Sequence, residues 1–228
     1  MKKLLFILSL LIVNFSAGQS KAFSDISIDD LLTETQLSSD NTDYVEMIWW
    51  MPTEYWRTIL SQDPSISQAE IDEIVALVED YVFIAAVKGK IGMFGGVTFE
   101  KEDVVRKMLK VSYQDKPLNL LSESELNADL QNFITMMKPM MANMLGSMGE
   151  NMHFLVLENK DQSKLESPID PYSYHKLEFE LGDFKKEIDL PLASLLEEKI
   201  CPKTNKELNG KWNYCPIHGT ELKKKKSF

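Results

Sequence analysis

The chain has 228 residues, of which 44% are hydrophobic and 26% charged, and its formal net charge at pH 7 is −10. This length and composition suit one large globular domain, or one domain with an appendage, that buries a sizeable core. An acidic protein repels phosphate groups, so the charge argues against general binding to nucleic acids.

The N-terminal segment 1–18 has the pattern of a secretory signal peptide. Two lysines precede an apolar run over 4–15, and three small residues follow the run at 16–18. The run has about 12 residues, whereas a membrane-spanning helix needs roughly 20. We therefore expect cleavage near Gly18, a periplasmic or secreted mature protein, and no transmembrane segment in the mature chain. Cleavage removes two lysines and no acidic residue, so the net charge becomes −12.

The polar segment 19–42 is expected to be a flexible lead-in. Residues 43–199 mix strand and helix patterns without a regular βαβ order, which indicates an α+β domain. The apolar block Tyr44–Met51 is typical of a buried strand, and Ser67 with Glu70 forms a capping box at the start of a helix.

Further elements follow in chain order. We predict a β-hairpin over 81–99, a segment that begins as a helix and ends as a strand over 104–113, a long helix to about 147 that kinks or divides at Pro139, and strands over 152–158, 174–181 and 184–190. The expected architecture is a mixed, mainly antiparallel sheet with packed helices and a small C-terminal hairpin.

Seven methionines lie between Met136 and Met152, within the long helix and its exit. Soft thioethers bind Cu(I), so this cluster is one candidate metal site, with Met140, Met144, Met148 and His153 as its ligands. The alternative is packing, because methionine fills irregular cores and adaptable surfaces. A helical projection supports packing, since it places these methionines on the same half of the helix as the other apolar residues.

The C-terminal segment 200–228 contains both cysteines of the chain. It has the turns Cys201-Pro-Lys-Thr204 and Cys215-Pro-Ile-His218-Gly, with Trp212 and Tyr214 before the second cysteine. Over about 20 residues this segment resembles a zinc ribbon, in which two such turns face each other across a hairpin. The resemblance implies that Cys201, Cys215 and His218 hold zinc. It departs from the family where Thr204 occupies the position of a fourth ligand.

A disulfide is the competing interpretation of the two cysteines. In an oxidising compartment Cys201 and Cys215 can bond to each other instead of sharing a metal. Closing a loop of about 15 residues in this way would stabilise the fold by roughly 3 kcal/mol. Free thiols are the third alternative. The expectation is therefore a zinc-ribbon-like hairpin, cross-linked by a disulfide or by zinc, with a basic tail.

No pattern for a catalytic site is recognised, so no catalytic residue and no cofactor other than zinc or copper is assigned. The segments Ile48–Trp56, Lys88–Gly96 and Met137–Met140 resemble those of exported bacterial proteins of uncharacterised activity. The sequence favours an exported protein that acts by binding or structural interaction, for example with another envelope protein. Two alternatives stay open, a periplasmic metal-binding protein and an enzyme that uses dispersed residues.

Overall fold

A computed structural model describes residues 20–158 and 169–225, so the predicted signal peptide lies outside the described residues. Within these two ranges there are six α-helices: α1 (Ile28–Thr35), α2 (Thr53–Ser61), α3 (Gln68–Val78), α4 (Glu102–Met108), α5 (Ala128–Leu145) and α6 (Ser147–Glu150). None of the described helices is both long enough and apolar enough to cross a membrane.

The same residues form twelve β-strands. They are β1 (Gln36–Ser38), β2 (Tyr44–Met51), β3 (Tyr81–Ile91), β4 (Val97–Phe99), β5 (Leu109–Tyr113), β6 (Lys116–Pro117), β7 (His153–Glu158), β8 (Lys176–Leu181), β9 (Phe184–Asp189), β10 (Lys199–Ile200), β11 (Glu207–Leu208) and β12 (Lys223–Lys224). All of the pairings between these strands are antiparallel. The predicted α+β fold with mainly antiparallel sheets is confirmed.

The largest sheet has the long strand β3 at its centre. One edge of β3 pairs with β2, and its other edge is shared between β7, opposite residues 81–86, and β4, opposite residues 89–91. Every residue from Val82 to Val87 is buried. Both faces of this strand are therefore covered, with α3 and α4 among the helices in contact with it.

A second sheet has the strand order β6-β5-β8-β9. Strand β8 alternates as the sequence predicts, with Leu177, Phe179 and Leu181 buried between exposed or half-buried charged residues. Helix α4 passes directly into β5 at Leu109, which confirms the predicted change from helix to strand. The capping box of Ser67 and Glu70 is also present at the start of α3.

A third, small sheet has the order β11-β10-β12 and belongs to the C-terminal module, which we define as residues 199–225. The module has its own apolar cluster of Cys201, Cys215, Leu222 and the partly buried Leu208. It rests closely on the preceding segment: a Cβ atom on Gly210 would lie only 2.4 Å from the carbonyl oxygen of Glu197. The predicted C-terminal hairpin is therefore present.

The structure differs from the expected flexible lead-in over 19–42. Helix α1 begins after Ser27, whose hydroxyl accepts a hydrogen bond from the backbone N–H of Asp30, and β1 pairs with β2. Ile26 and Leu31 are buried in the main core. The composition of this segment is polar, but its few apolar residues face inward, and composition alone does not reveal their direction.

Helix α5 also differs from the sequence-based expectation. It continues as one helix from 128 to 145 across Pro139, so the helix is not divided there, which was one of the two outcomes predicted; a kink at Pro139 stays a prediction. Proline leaves the carbonyl of Thr135 without its helical donor, and Thr135 is exposed, so water can satisfy that oxygen. Met140 and Met144 are 51% and 66% exposed rather than on the buried half of the helix.

Candidate metal centre

Two turns of the same construction bring the predicted ligands of the C-terminal module together. In each turn the cysteine N–H donates to the carbonyl five residues later, and the N–H four residues later donates to the cysteine carbonyl. The hydrogen bonds are Cys201 N to Lys206 O at 3.0 Å, Asn205 N to Cys201 O at 2.8 Å, Cys215 N to Thr220 O at 2.8 Å and Gly219 N to Cys215 O at 2.8 Å.

The matching hydrogen bonds reflect an internal repeat in the sequence, which the predicted ribbon did not include. Residues 201–208 read Cys-Pro-Lys-Thr-Asn-Lys-Glu-Leu, and residues 215–222 read Cys-Pro-Ile-His-Gly-Thr-Glu-Leu. The fifth residue of each copy, Asn205 or Gly219, has a positive φ, of 55° and 62°, and asparagine and glycine tolerate this conformation best. The last residues, Leu208 and Leu222, pack in the apolar cluster of the module.

The site itself consists of two thiols and one imidazole. The Sγ atoms of Cys201 and Cys215 and a ring nitrogen of His218 all lie within 4.8 Å of one another. His218 Nδ1 is 3.4 Å from Cys201 Sγ and 3.3 Å from Cys215 Sγ. Both cysteines are buried, whereas His218 is half-buried.

Hydrogen bonds in the first turn favour a thiolate at Cys201. The Thr204 hydroxyl makes the largest contribution, and the backbone N–H groups of Lys203 and Thr204 assist it, so that the pKa of the Cys201 thiol falls to about 6 against the opposing effect of burial. A thiolate is the form of cysteine that binds metal ions. The arrangement therefore presents two soft sulfurs and one nitrogen to a common point.

The predicted disulfide between Cys201 and Cys215 is not present in this structure, where both residues are free cysteines. The imidazole nitrogen of His218 lies against both sulfurs, and this geometry matches a shared ligand site. A disulfide in an oxidising compartment stays a prediction.

The candidate copper ligands occupy different surroundings. Met140 and Met144 are exposed on α5, whereas Met148 packs, partly buried, against the main core. His153 lies in β7, where its Nε2 atom is 3.0 Å from the carbonyl oxygen of Glu100 and its Nδ1 atom is 3.9 Å from the carboxylate of Glu102. Both ring nitrogens of His153 thus face polar groups near the start of α4, and a Cu(I) site stays a prediction.

A cleft of about 450 Å³ lies outside the module, and it is a candidate site for the alternative that the protein is an enzyme. Glu54, Arg57 and Asp170 are among the residues that line it. Burial, and to a smaller extent the charge of Asp170, raises the pKa of Glu54, while a backbone hydrogen bond and Arg57 oppose the rise. A raised carboxyl pKa in a cleft is compatible with acid–base chemistry, but structural burial produces the same shift.

Comparison with known proteins adds no relative to this description. No protein-family model matches the sequence, and neither the curated proteins nor the solved structures include a significant match.

Proposed function

We propose that the C-terminal module binds a zinc ion through Cys201, Cys215 and His218, and that the ion holds its two turns together. The observation that supports this proposal is the convergence of the three ligand atoms. With Zn–S distances of about 2.3 Å and a Zn–N distance of about 2.0 Å, a tetrahedral ion places sulfur and nitrogen about 3.5 Å apart. The two sulfur–nitrogen distances of 3.4 and 3.3 Å are within a few tenths of an ångström of that value.

Because the module is small, the proposed ion would stabilise its fold. Its apolar cluster has only four members, two of which are the cysteines themselves. A core of this size contributes little folding free energy, and small modules of this kind commonly depend on a metal or a disulfide. Zinc suits a mixture of thiolate and imidazole ligands, although the same ligands accept copper.

Thr204 defines the fourth side of the proposed site. In the repeat Thr204 occupies the position that His218 occupies in the second copy. Its hydroxyl makes a hydrogen bond to the Cys201 sulfur and does not supply a strong metal ligand. Thr204 is also exposed. Among the described residues, three ligands therefore come from the chain, and water or another external donor would complete the tetrahedron.

Metal analysis of the full chain, purified without chelators, tests this proposal. We expect about one zinc per chain and its loss in Cys215→Ser and His218→Gln variants. His175→Gln is the matched control, because His175 lies in another part of the fold and should not affect the metal content. Thr204→His should strengthen zinc binding by restoring the ligand that the second copy of the repeat contains. Metal content that is unaffected by Cys215→Ser and His218→Gln would refute the site.

At the level of the whole protein, we propose an exported protein that acts by binding or structural interaction, with another envelope protein as its partner. The support is the sequence of residues 1–18, which has the charge and apolar pattern of a signal peptide. Intact-mass measurement of the chain from its native host, before and after reduction, tests this proposal. A mass that corresponds to cleavage near Gly18 supports export, and a loss of two hydrogens relative to the reduced form would identify the disulfide alternative.

A further inference from the structure

We propose that the C-terminal module docks on an anionic lipid surface. This inference goes beyond metal binding, because it concerns the outer surface of the module and not the interior that holds its ligands. It rests on the distribution of charge along the chain, on the exposure of three large side chains, and on the types of residue that supply the positive charge.

Charge is separated sharply between the module and the rest of the chain. The module and the three residues after it, 199–228, contain eight lysines and two glutamates, a net charge of +6, whereas residues 1–198 carry −16. Several of these lysines have tasks within the fold: Lys199 donates to the carbonyl oxygen of Trp212 at 2.9 Å, and Lys225 forms a salt bridge with Glu207 at 2.9 Å.

Four other lysines of the module are available to contact an external partner. Within the described residues, they are exposed and form no salt bridge: Lys203, Lys206, Lys223 and Lys224. Anionic headgroups attract such lysines through simple charge complementarity, and each lysine near the surface adds to the binding. The negative charge of the remaining chain is screened beyond roughly 10 Å at ordinary salt, so it opposes this contact only weakly.

The same module also exposes large apolar and aromatic side chains. Trp212, Tyr214 and Ile217 are 43%, 63% and 72% exposed. Ile217 and Lys203 occupy equivalent positions in the two copies of the repeat, each two residues after a cysteine, and the cluster of ligand atoms brings the two turns side by side. An apolar anchor and a cation are thus presented at the same end of the module.

These residue types favour lipid over nucleic acid. The segment 199–228 contains no arginine, which is the residue best suited to bidentate recognition of phosphate in nucleic acids. Tryptophan and tyrosine partition to the interface between water and hydrocarbon, and an exposed isoleucine gains by burial there but has no ring to stack on a base.

Vesicle binding by the full chain tests the proposal. We expect binding to vesicles of phosphatidylcholine with phosphatidylglycerol and little binding to phosphatidylcholine alone. The triple variant Lys203→Glu, Lys223→Glu, Lys224→Glu should bind about 100-fold more weakly. The matched control reverses the same number of exposed charges elsewhere, at Lys107, Lys116 and Lys138, and should bind nearly as well as the unmodified chain.

Tryptophan fluorescence identifies which part of the chain touches the lipid. Trp49, Trp50 and Trp56 are at most 7% exposed and the segment 1–18 has no tryptophan, so a blue shift on adding anionic vesicles should come from Trp212. Trp212→Phe should abolish the shift and retain binding. The proposal is overturned if both triple variants bind equally, if the blue shift survives in Trp212→Phe, or if the chain prefers single-stranded DNA to vesicles.

Discussion

Glu46 and Lys88 form a buried ion pair at directly opposite positions of β2 and β3. Their side chains are only 5% and 12% exposed, and the Lys88 ammonium also lies 5.1 Å from the centre of the Tyr44 ring. Removing one partner would leave the other charge buried without compensation. We expect Glu46→Leu and Lys88→Met each to lower the free energy of unfolding by about 3 kcal/mol in urea denaturation.

The double variant Glu46→Leu with Lys88→Met is the informative companion to these single changes. An apolar pair of similar volume avoids both the desolvation of two charges and the unpaired charge of each single variant. We expect it to recover most of the stability that the single variants lose. If the double variant lost the sum of the two single effects, the pair would not act as a unit.

Gly149 allows α6 to pack closely against the end of α5. A Cβ atom at this position would lie 1.9 Å from the carbonyl oxygen of Met141, and backbone atoms cannot move aside as a flexible side chain can. Gly149→Ala should therefore lower the free energy of unfolding by about 3 kcal/mol, measured by thermal or urea denaturation.

The control for this change is Gly96→Ala, since an added Cβ at Gly96 would meet no atom within 4 Å. We expect that variant to stay within about 0.5 kcal/mol of the unmodified chain. Equal stability of both variants would show that α6 can move away from α5 at little cost.

Patterns between near neighbours in sequence predicted much of the fold. The alternation of β8, the capping box at Ser67 and the passage from helix to strand at Leu109 are all local, and all were identified. The order of the strands in the sheet was not predicted. Strand β7 joins the edge of β3 beside β4, and about 50 residues separate β4 from β7 in the sequence. Such pairings depend on packing across the core, which no local period encodes.

The candidate metal centre was predicted to a similar extent. The resemblance to a zinc ribbon implied Cys201, Cys215 and His218 as ligands, but compartment and ligand number favoured a disulfide. Only the position of the imidazole against both sulfurs favours a metal site instead. The repeat of Cys-Pro-x-x-x-x-Glu-Leu was readable in the sequence and would have strengthened the ribbon interpretation. The exposure of Met140 was not readable, because it depends on which side of α5 the core occupies.

Glu54 should make the stability of the protein depend on pH. Burial is the main cause that raises the pKa of this carboxyl above its ordinary value of 4.5, so the folded chain holds the proton more tightly than the unfolded chain does. At pH values below 4.5 the carboxyl is neutral, and its burial therefore does not lower the free energy of unfolding. As the pH rises through the pKa of the folded state, the carboxyl ionises and its burial then lowers the free energy of unfolding. Glu54→Gln should raise the melting temperature at pH 7.

The gain from Glu54→Gln should shrink towards zero as the pH falls below 4.5, where the glutamate is protonated in both states. Melting curves from pH 3.5 to 8 measure this dependence. The exposed Glu73 lies on α3, and Glu73→Gln serves as the control that should change the curves little at any pH. A gain that is the same at every pH would attribute the effect of Glu54→Gln to packing instead of ionisation.

The proposed zinc site predicts that removal of the ion unfolds the C-terminal module and leaves the main core intact. The module has an apolar cluster of four residues, whereas the main core contains the central sheet and its helices, so the proposal makes only the module dependent on the ion. After chelation, trypsin should cut rapidly at the exposed Lys203 and Lys206, while a fragment that contains residues 20–158 persists.

The variant Cys215→Ser provides the control for chelation, because it should be cut quickly with or without the chelator. Adding zinc back should restore protection to the unmodified chain and not to the variant. If the module resisted trypsin equally in both metal states, its packing against Glu197 and the hydrogen bonds of its two turns would suffice to hold it. The three ligands would then bind an ion without supporting the fold, and the structural task assigned to zinc would be wrong.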